Sequence, residues 1–310
     1  MLPALVGPTA SGKTAAAIRI ARELGAEIVS VDSMLVYRGM DVGTAKPTAE
    51  ERAAVPHHLI DVAEPSERFT VARYQRLGRA AIERIQRPLL VGGSGLYYRA
   101  LVDELEFPGE DPEVRRTLEA EARAAGAERL VARLAWLDPA AAARIEAGNL
   151  RRTIRALEVA AVTGRAFSGF AAAWGRFDPA RTRAAGISMP PAARRARIEA
   201  RVRSMLEAGW LHEVEDLVER GLGDWLTSSR AIGYAELADH LRGERSLDES
   251  IEVTVRRTVE LARRQLSWFR RDPRIRWFEV TETAEEAVDG VLAYLLGAER
   301  ASGVPADLRR

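Results

Sequence analysis

Apolar and polar residues follow two different rhythms along the chain. In the first part, short apolar runs at Ala4-Leu5-Val6, at 27–31 (Glu-Ile-Val-Ser-Val) and at Pro88-Leu89-Leu90-Val91 each end in Gly or Asp and read as buried strands. Between them lie segments of helical period: Ala15 to Leu24, and Phe69 to Ile85, the latter apolar at Val71, Tyr74, Leu77, Ala81, Ile82 and Ile85. Strands alternating with helices predict an α/β fold with a doubly wound parallel sheet. From Asp111 the rhythm is helical only. Asp111-Pro112 and Asp138-Pro139 have the form of an N-cap followed by a first-turn proline, and Gly126, Gly148 and Gly164 look like helix ends. The helix expected over Asn149–Thr163 has Leu150, Ile154, Leu157 and Ala161 on one face, with Arg151, Arg152 and Arg155 largely off it. Residues 165–183 read as a loop with aromatics among arginines. Ala184–Met189 is expected to return to the sheet, followed by helices over Pro191–Ala208 and Glu249–Arg271, a strand over Ile275–Val280, a helix over Ala284–Leu296 and a polar tail. The predicted organisation is a core of residues 1–109 and 185–310 carrying an all-helical insertion at 110–184. No internal repeat is found.

The first strand runs into Gly7-Pro8-Thr9-Ala10-Ser11-Gly12-Lys13-Thr14, and a helix follows at once. This strand, glycine loop and helix is the arrangement of a phosphate-binding P-loop, so the core is P-loop NTPase-like. Gly7 and Gly12 let the backbone turn its N–H groups inward onto a diphosphate. The positive end of the helix adds to the attraction. Lys13 reaches the terminal phosphates, and the Thr14 hydroxyl is the expected Mg²⁺ ligand. By itself the loop does not distinguish an NTPase from a kinase or a transferase.

Composition sharpens this picture at one point. Only Lys13 and Lys46 are lysines, so 44 of the 46 basic residues are arginine, yet the loop has kept its lysine. Cysteine is absent, which excludes disulfides and thiolate metal sites. No apolar run approaches the ~20 residues of a membrane span, and no signal-peptide pattern precedes the first strand. A cytoplasmic protein is expected. The net charge is only +1, but arginines crowd into 151–155, 194–203, 256–264 and 270–276. Such clusters are either solvated helix faces or surfaces for a phosphate backbone.

Asp32 and Ser33 follow the second strand directly, at the sheet edge where ligands sit. Asp32 is therefore a candidate metal ligand, general base or helix cap beside the P-loop. Residues 34–47 suit a loop lining a pocket. His57-His58 has no matching ligands nearby, so a packed or hydrogen-bonded pair is expected there and not a metal site. Ser94, in the turn Gly92-Gly93-Ser94-Gly95, either donates to a phosphate or a base or serves a tight turn only. Arg194, Arg197 and Arg201 share a helix face, from which at least one is expected to reach back to the phosphates. Arg256, Arg263 and Arg270, with Arg257, Arg264 and Arg271 beside them, form a basic stripe on a long helix.

Taken together these segments resemble the tRNA dimethylallyltransferases (isopentenyl-tRNA transferases) in their bacterial form, over nearly the whole chain. The likeness lies in GPTASGKT at 7–14, VDSMLVYRGMDVGTAKP at 31–47, VPHHLID at 55–61, LLVGGSGLY at 89–97, RALEV at 155–159, AIGYAEL at 231–237 and RRQLSWFRRDPRIRWF at 263–278. The resemblance implies a prenyltransferase that moves the dimethylallyl group of dimethylallyl diphosphate to N6 of adenosine 37 in tRNAs reading codons that begin with U. It implies that Gly7, Pro8, Thr9, Ala10, Ser11, Gly12, Lys13 and Thr14 hold the diphosphate and that Asp32 is the general base. Lys13, Thr14, Arg201 and Mg²⁺ would neutralise the leaving group. Matching stretches that contact tRNA are Asp32, Ser33, Met34 and Leu35; Ser94; Arg151, Arg152, Thr153, Ile154 and Arg155; and Arg230, Ala231, Ile232, Gly233, Tyr234 and Ala235. The helical insertion matches the subdomain that grips the anticodon stem-loop. Leu35 stands where many members have Gln, Ser94 where others have Thr, and the zinc-finger extension of eukaryotic relatives is absent. A monomer with no obligate protein partner and no membrane contact is expected. Two other readings fit the P-loop: a small-molecule kinase with 111–164 as its lid, and a non-catalytic RNA-binding protein.

Overall fold

The protein was analysed as a computed structural model, which describes residues 1–146 and 148–297; most of the polar tail read from the sequence lies outside them. In chain order, β1 (Leu2–Val6) is followed by α1 (Lys13–Leu24), β2 (Glu27–Val31), α2 (Ala49–Ala54), β3 (His57–His58), α3 (Val71–Arg84), β4 (Pro88–Gly92) and α4 (Gly95–Val102). Helices α5 (Pro112–Ala125), α6 (Ala127–Leu137), α7 (Pro139–Ala142) and α8 (Leu150–Thr163) come next. The chain then forms β5 (Thr182–Ser188), α9 (Pro191–Glu207), α10 (Trp210–Glu219), α11 (Tyr234–Leu241), α12 (Leu247–Phe269), β6 (Ile275–Glu279) and α13 (Val288–Leu296). The six strands of the described residues form one sheet in the order β3-β2-β4-β1-β5-β6, parallel throughout.

The α/β expectation is met, and the register explains where the site falls. Val6 and Val31 both pair with Gly92, so the carboxyl ends of β1, β2 and β4 lie side by side. On one face Leu5, Ile28, Leu89, Ala185 and Ile187 pack with Ala16, Ala17, Ile20 and Ala21 of α1 and with Val288 and Val291 of α13. Alternate strand positions, Ala4, Val6, Val29 and Leu90, are equally buried, as the period of two requires for a sheet covered on both faces. Tyr74 of α3 ties that side to the sheet by donating its hydroxyl to the Ser30 carbonyl, at 2.8 Å.

The chain divides into two compact units, residues 1–102 with 178–310, and residues 103–177. The second is wholly helical, with a core of Leu118, Leu130, Leu134, Ile154 and Leu157. Both Asp-Pro starts are real caps: Asp111 accepts from Glu113 and Val114, and Asp138 accepts from Ala141. Two local readings are corrected. Phe167–Gly175 winds into 3₁₀ turns, with the Ser168 N–H held by Asp138 at 2.7 Å, where a loop was expected. The return strand begins at Thr182, two residues before the expected start, because Thr182 already pairs with Leu2.

Candidate active site

The segment between β1 and α1 takes the P-loop form for steric reasons. Gly7 has φ 153°, and a Cβ there would lie 2.4 Å from the Ile187 carbonyl oxygen. Gly12 caps α1 at φ 83°. Lys13 folds back, its ammonium donating to the Pro8 carbonyl at 2.6 Å. Thr14 is exposed on the first turn of α1, and Ser11 Oγ is buried with no protein partner.

A cavity of about 580 Å³ opens over this loop, lined among others by Lys13, Thr14, Asp32, Leu35, Lys46 and Arg201. A second, of about 320 Å³, is lined by Ser33, Met34, Trp210, Arg230, Ala231, Ile232, Arg257 and Arg264. Thr9, Ala10, Asp32, Thr44, Arg201 and Gln265 line both. One side is therefore built around a phosphate loop, the other from the turn before α11 and the arginine face of α12. Asp32 stands where they meet.

The electrostatics at this junction are mutual. Burial raises the Asp32 pKa above the ordinary carboxylate range, while the Met34 N–H donating to Oδ1 at 2.8 Å and the Lys13 charge pull it back. Burial, with the Arg201 charge second, pulls Lys13 down to about 7, against the opposing effect of Asp32. Burial also lowers Arg201, whose Nη1 donates to Thr9 Oγ1 at 3.4 Å. Asp32 and Lys13 are walled by protein yet touch the cavity, so they retain partial accessibility. The site is a carboxylate made more basic than usual beside two cations that lack a full complement of anions. It is prepared for an anionic ligand.

That arrangement has a measurable consequence at Lys13. With its pKa near 7, Lys13 is mostly neutral at pH 8 in the free protein, and an anion such as diphosphate bound beside it is expected to restore its proton. Titrating diphosphate at pH 8 in buffers of different ionisation enthalpy is expected to show uptake approaching about one proton per site. The uptake should shrink at pH 6, where Lys13 is already charged. Equal proton counts at the two pH values would rule the assignment out.

The other expected site residues fall in three places. Arg230, Ala231 and Ile232 line the second cavity, Gly233 caps α11, and Ala235 and Tyr234 lie on that helix, Tyr234 fully buried. Ser94 opens α4, its N–H on the Val31 carbonyl, and lines neither cavity. Arg151 to Arg155 belong to α8 of the second unit. There Thr153 and Ile154 are buried, Arg155 is held by Glu158 and the carbonyls of Pro108 and Gly109, and Arg151 and Arg152 are exposed. Of the three arginines on α9, Arg194 is buried against the Met189 carbonyl, and Arg197, tied to the Glu282 carbonyl, lines the phosphate-side cavity with Arg201. His57 donates to the Val55 carbonyl and His58 bonds Glu27, each at 2.7 Å.

Sequence reasoning missed Gln265, while Thr44 falls in the 34–47 loop read as lining a pocket. Gln265 accepts the Thr9 N–H at 2.8 Å and so links α12 to the P-loop across 256 positions. Gln265 lies within the 263–278 motif that carried the resemblance, which is the one signal that pointed to it. Among the described residues no group of three or more His, Cys, Asp or Glu side chains is placed to hold a metal. The oxygen donors beside the P-loop are hard ones, the Thr14 hydroxyl and the Asp32 carboxylate, one oxygen of which accepts the Met34 N–H. They suit Mg²⁺ shared with a substrate's phosphate oxygens, not a metal caged by protein. No helix among the described residues is long and apolar enough to cross a membrane.

The comparisons with known proteins agree with this geometry. A family model described as IPP transferase matches residues 35–272, and one described as isopentenyl transferase matches residues 1–61. The chain is 50% identical over 294 residues to the tRNA dimethylallyltransferase of Kineococcus radiotolerans, covering 92% of each chain. It is 47% identical over 300 residues to that of a Nocardioides species, covering 95% of this chain and 96% of the other. Among solved structures it is similar to the full-length tRNA isopentenylpyrophosphate transferase of Bacillus halodurans, with TM-score 0.69, 40% identity, and 96% of this chain and 95% of that one covered. A eukaryotic dimethylallyltransferase acting on tRNA shares the fold at TM-score 0.77 and 24% identity, over 93% of this chain and 75% of that one. With matches of this extent joined to a P-loop that ends beside a half-buried carboxylate, the chain belongs to the IPP transferase family, that of the tRNA dimethylallyltransferases.

Proposed function

We propose that this enzyme transfers the dimethylallyl group of dimethylallyl diphosphate to N6 of adenosine 37 in tRNAs that read codons beginning with U. The products are N6-dimethylallyladenosine and diphosphate. The observation that carries this reading is Asp32, which lines the phosphate-side cavity and the arginine-walled cavity at once. In the reaction the N6–C1 bond forms and the C1–O bond to the diphosphate breaks. The adenine amine has its lone pair delocalised into the ring, so it needs a carboxylate to take its proton, and Asp32 is the base at the junction. Lys13 and Arg201 take up the charge that develops on the leaving oxygen. Mg²⁺ held by Thr14 and the diphosphate would supply further neutralisation of that leaving group.

The acceptor has to leave its stack to enter a pocket of this kind, which a loop nucleotide does more readily than a paired one. Arg256, Arg263, Arg270 and Arg271 are exposed along and just beyond α12, whose Arg257 and Arg264 line the acceptor cavity, and they suit an RNA backbone. The 103–177 unit, with Arg151 and Arg152 exposed, is assigned the anticodon stem-loop. A cytoplasmic monomer is part of the same reading.

Incubating the protein with dimethylallyl diphosphate, Mg²⁺ and unmodified tRNA, then analysing the nucleosides by mass, tests the proposal. One dimethylallyl group gained at adenosine 37 is the expected result. No transfer, with ATP consumed when small acceptors are offered, would give the site to a kinase.

A further inference from the structure

The loop from Gly39 to Pro47 forms part of the wall of both cavities. Gly43 faces the acceptor side, Ala45, Lys46 and Pro47 face the phosphate side, and Thr44 lines both. A loop in this position sets the geometry in which amine and allyl carbon meet, so what holds it matters to the reaction.

It is held at two points. At its far end Lys46 is almost fully buried and donates to the Tyr37 carbonyl, Asp41 Oδ1 and Asp61 Oδ1, each at 2.5 Å. These partners are all local. The other hold comes from far along the chain. Glu213, in the first turn of α10, accepts the backbone N–H groups of Asp41 and Val42 on Oε2, at 2.6 and 2.7 Å, and that of Gly43 on Oε1, at 3.1 Å. Oε1 also accepts the Tyr234 hydroxyl, at 2.6 Å. One carboxylate thus serves three consecutive amides and a buried phenol. Trp210, one turn earlier on α10, lies so close behind the loop that a Cβ on Gly43 would come 1.9 Å from its indole nitrogen. The loop is pressed between α10 and the cavity, with Glu213 as its anchor.

We propose that Glu213 is a positioning residue for transfer. By fixing the backbone at Asp41 to Gly43 it sets Thr44 at the junction where acceptor and allyl group meet, and it locks the phosphate-side loop to the helices that wall the acceptor cavity. This rests on the prenyl-transfer reading above. The chemistry demands a carboxylate: four donors converge on two oxygens, and an amide in its place offers one oxygen and directs N–H groups at N–H groups.

Glu213→Gln keeps the shape and removes the anchor. At saturation with dimethylallyl diphosphate and tRNA, its kcat is expected to fall about tenfold or more. The KM for the diphosphate should stay within about twofold, because the P-loop is untouched. Backbone amide exchange at 41–43 should accelerate while that of β1 and β4 does not. Tyr234→Phe, which removes one donor and leaves the three amides in place, should lose less than Glu213→Gln and keep 41–43 protected. A Glu213→Gln kcat within about twofold of wild type overturns the proposal, as does a loss fully accounted for by the folded fraction at the assay temperature. A wild-type enzyme that transfers nothing is a different result: it removes the functional reading on which the proposal stands.

Discussion

The Asp32→Ala enzyme is expected to transfer the dimethylallyl group about 10²- to 10⁴-fold more slowly at saturation than the wild type, the range for loss of a general base. Its affinity for tRNA should be largely retained, since Asp32 is one residue on a cavity wall that Arg230, Arg257 and Arg264 also line. Asp32→Asn separates base from scaffold: the amide oxygen still accepts the Met34 N–H, but nothing takes the N6 proton. Both variants also remove the anion that supports the Lys13 charge, so Lys13 falls below its value of about 7. Diphosphate binding near neutrality then weakens, and kcat must be read at saturating diphosphate. The pH profile gives an independent check. As the proposed base Asp32 must be in its carboxylate form, and burial holds its pKa above the usual range. Activity should therefore fall with decreasing pH at higher pH than an ordinary carboxylate would give, and this acid limb should vanish in Asp32→Asn. A kcat within about threefold of wild type for either variant would end the assignment.

Much of this site could be read from local pattern. A strand of three apolar residues, two glycines and an alanine-rich helix specify the P-loop because each requirement falls on neighbouring residues. Asp32 follows from the strand that delivers it, since parallel strands bring their carboxyl ends to one edge. Spacing was less decisive on α9: it grouped three arginines, and only packing reveals that Arg194 is committed to the Met189 carbonyl while Arg197, bonded to the Glu282 carbonyl, and Arg201, which reaches Thr9, both line the phosphate-side cavity. What could not be read is contact between distant segments. Gln265 meets Thr9, and Glu213 meets Gly43 across 170 positions; on a helix that also carries Glu215, Asp216 and Glu219, Glu213 looks like any other solvated charge. The same limit explains the Phe167–Gly175 stretch, where aromatics among arginines suggested a loop and the Asp138 contact winds the chain into turns.

Arg201→Ala is expected to cost about 10²- to 10³-fold in kcat, the effect of removing one preorganised group from a developing oxyanion. The apparent affinity for dimethylallyl diphosphate should weaken as well, because ground state and transition state both carry negative charge there. Arg201→Lys should recover only part of the rate: an ammonium keeps the charge but cannot present two parallel N–H groups to phosphate oxygens. The diagnostic sign lies at Lys13. Arg201 pushes protons off Lys13, so its removal lets the Lys13 pKa rise from about 7. At pH 8 the variant should then take up fewer protons on binding diphosphate than the wild type, although it binds more weakly. An arginine that served only to support the fold would change stability and leave that proton count alone. Arg195, exposed on the same helix and paired with Glu199 at 2.8 Å, provides the comparison. Arg195→Ala should match wild type in both rate and proton uptake, and if Arg201→Ala matched it too, the leaving-group role would have to pass to Lys13 alone.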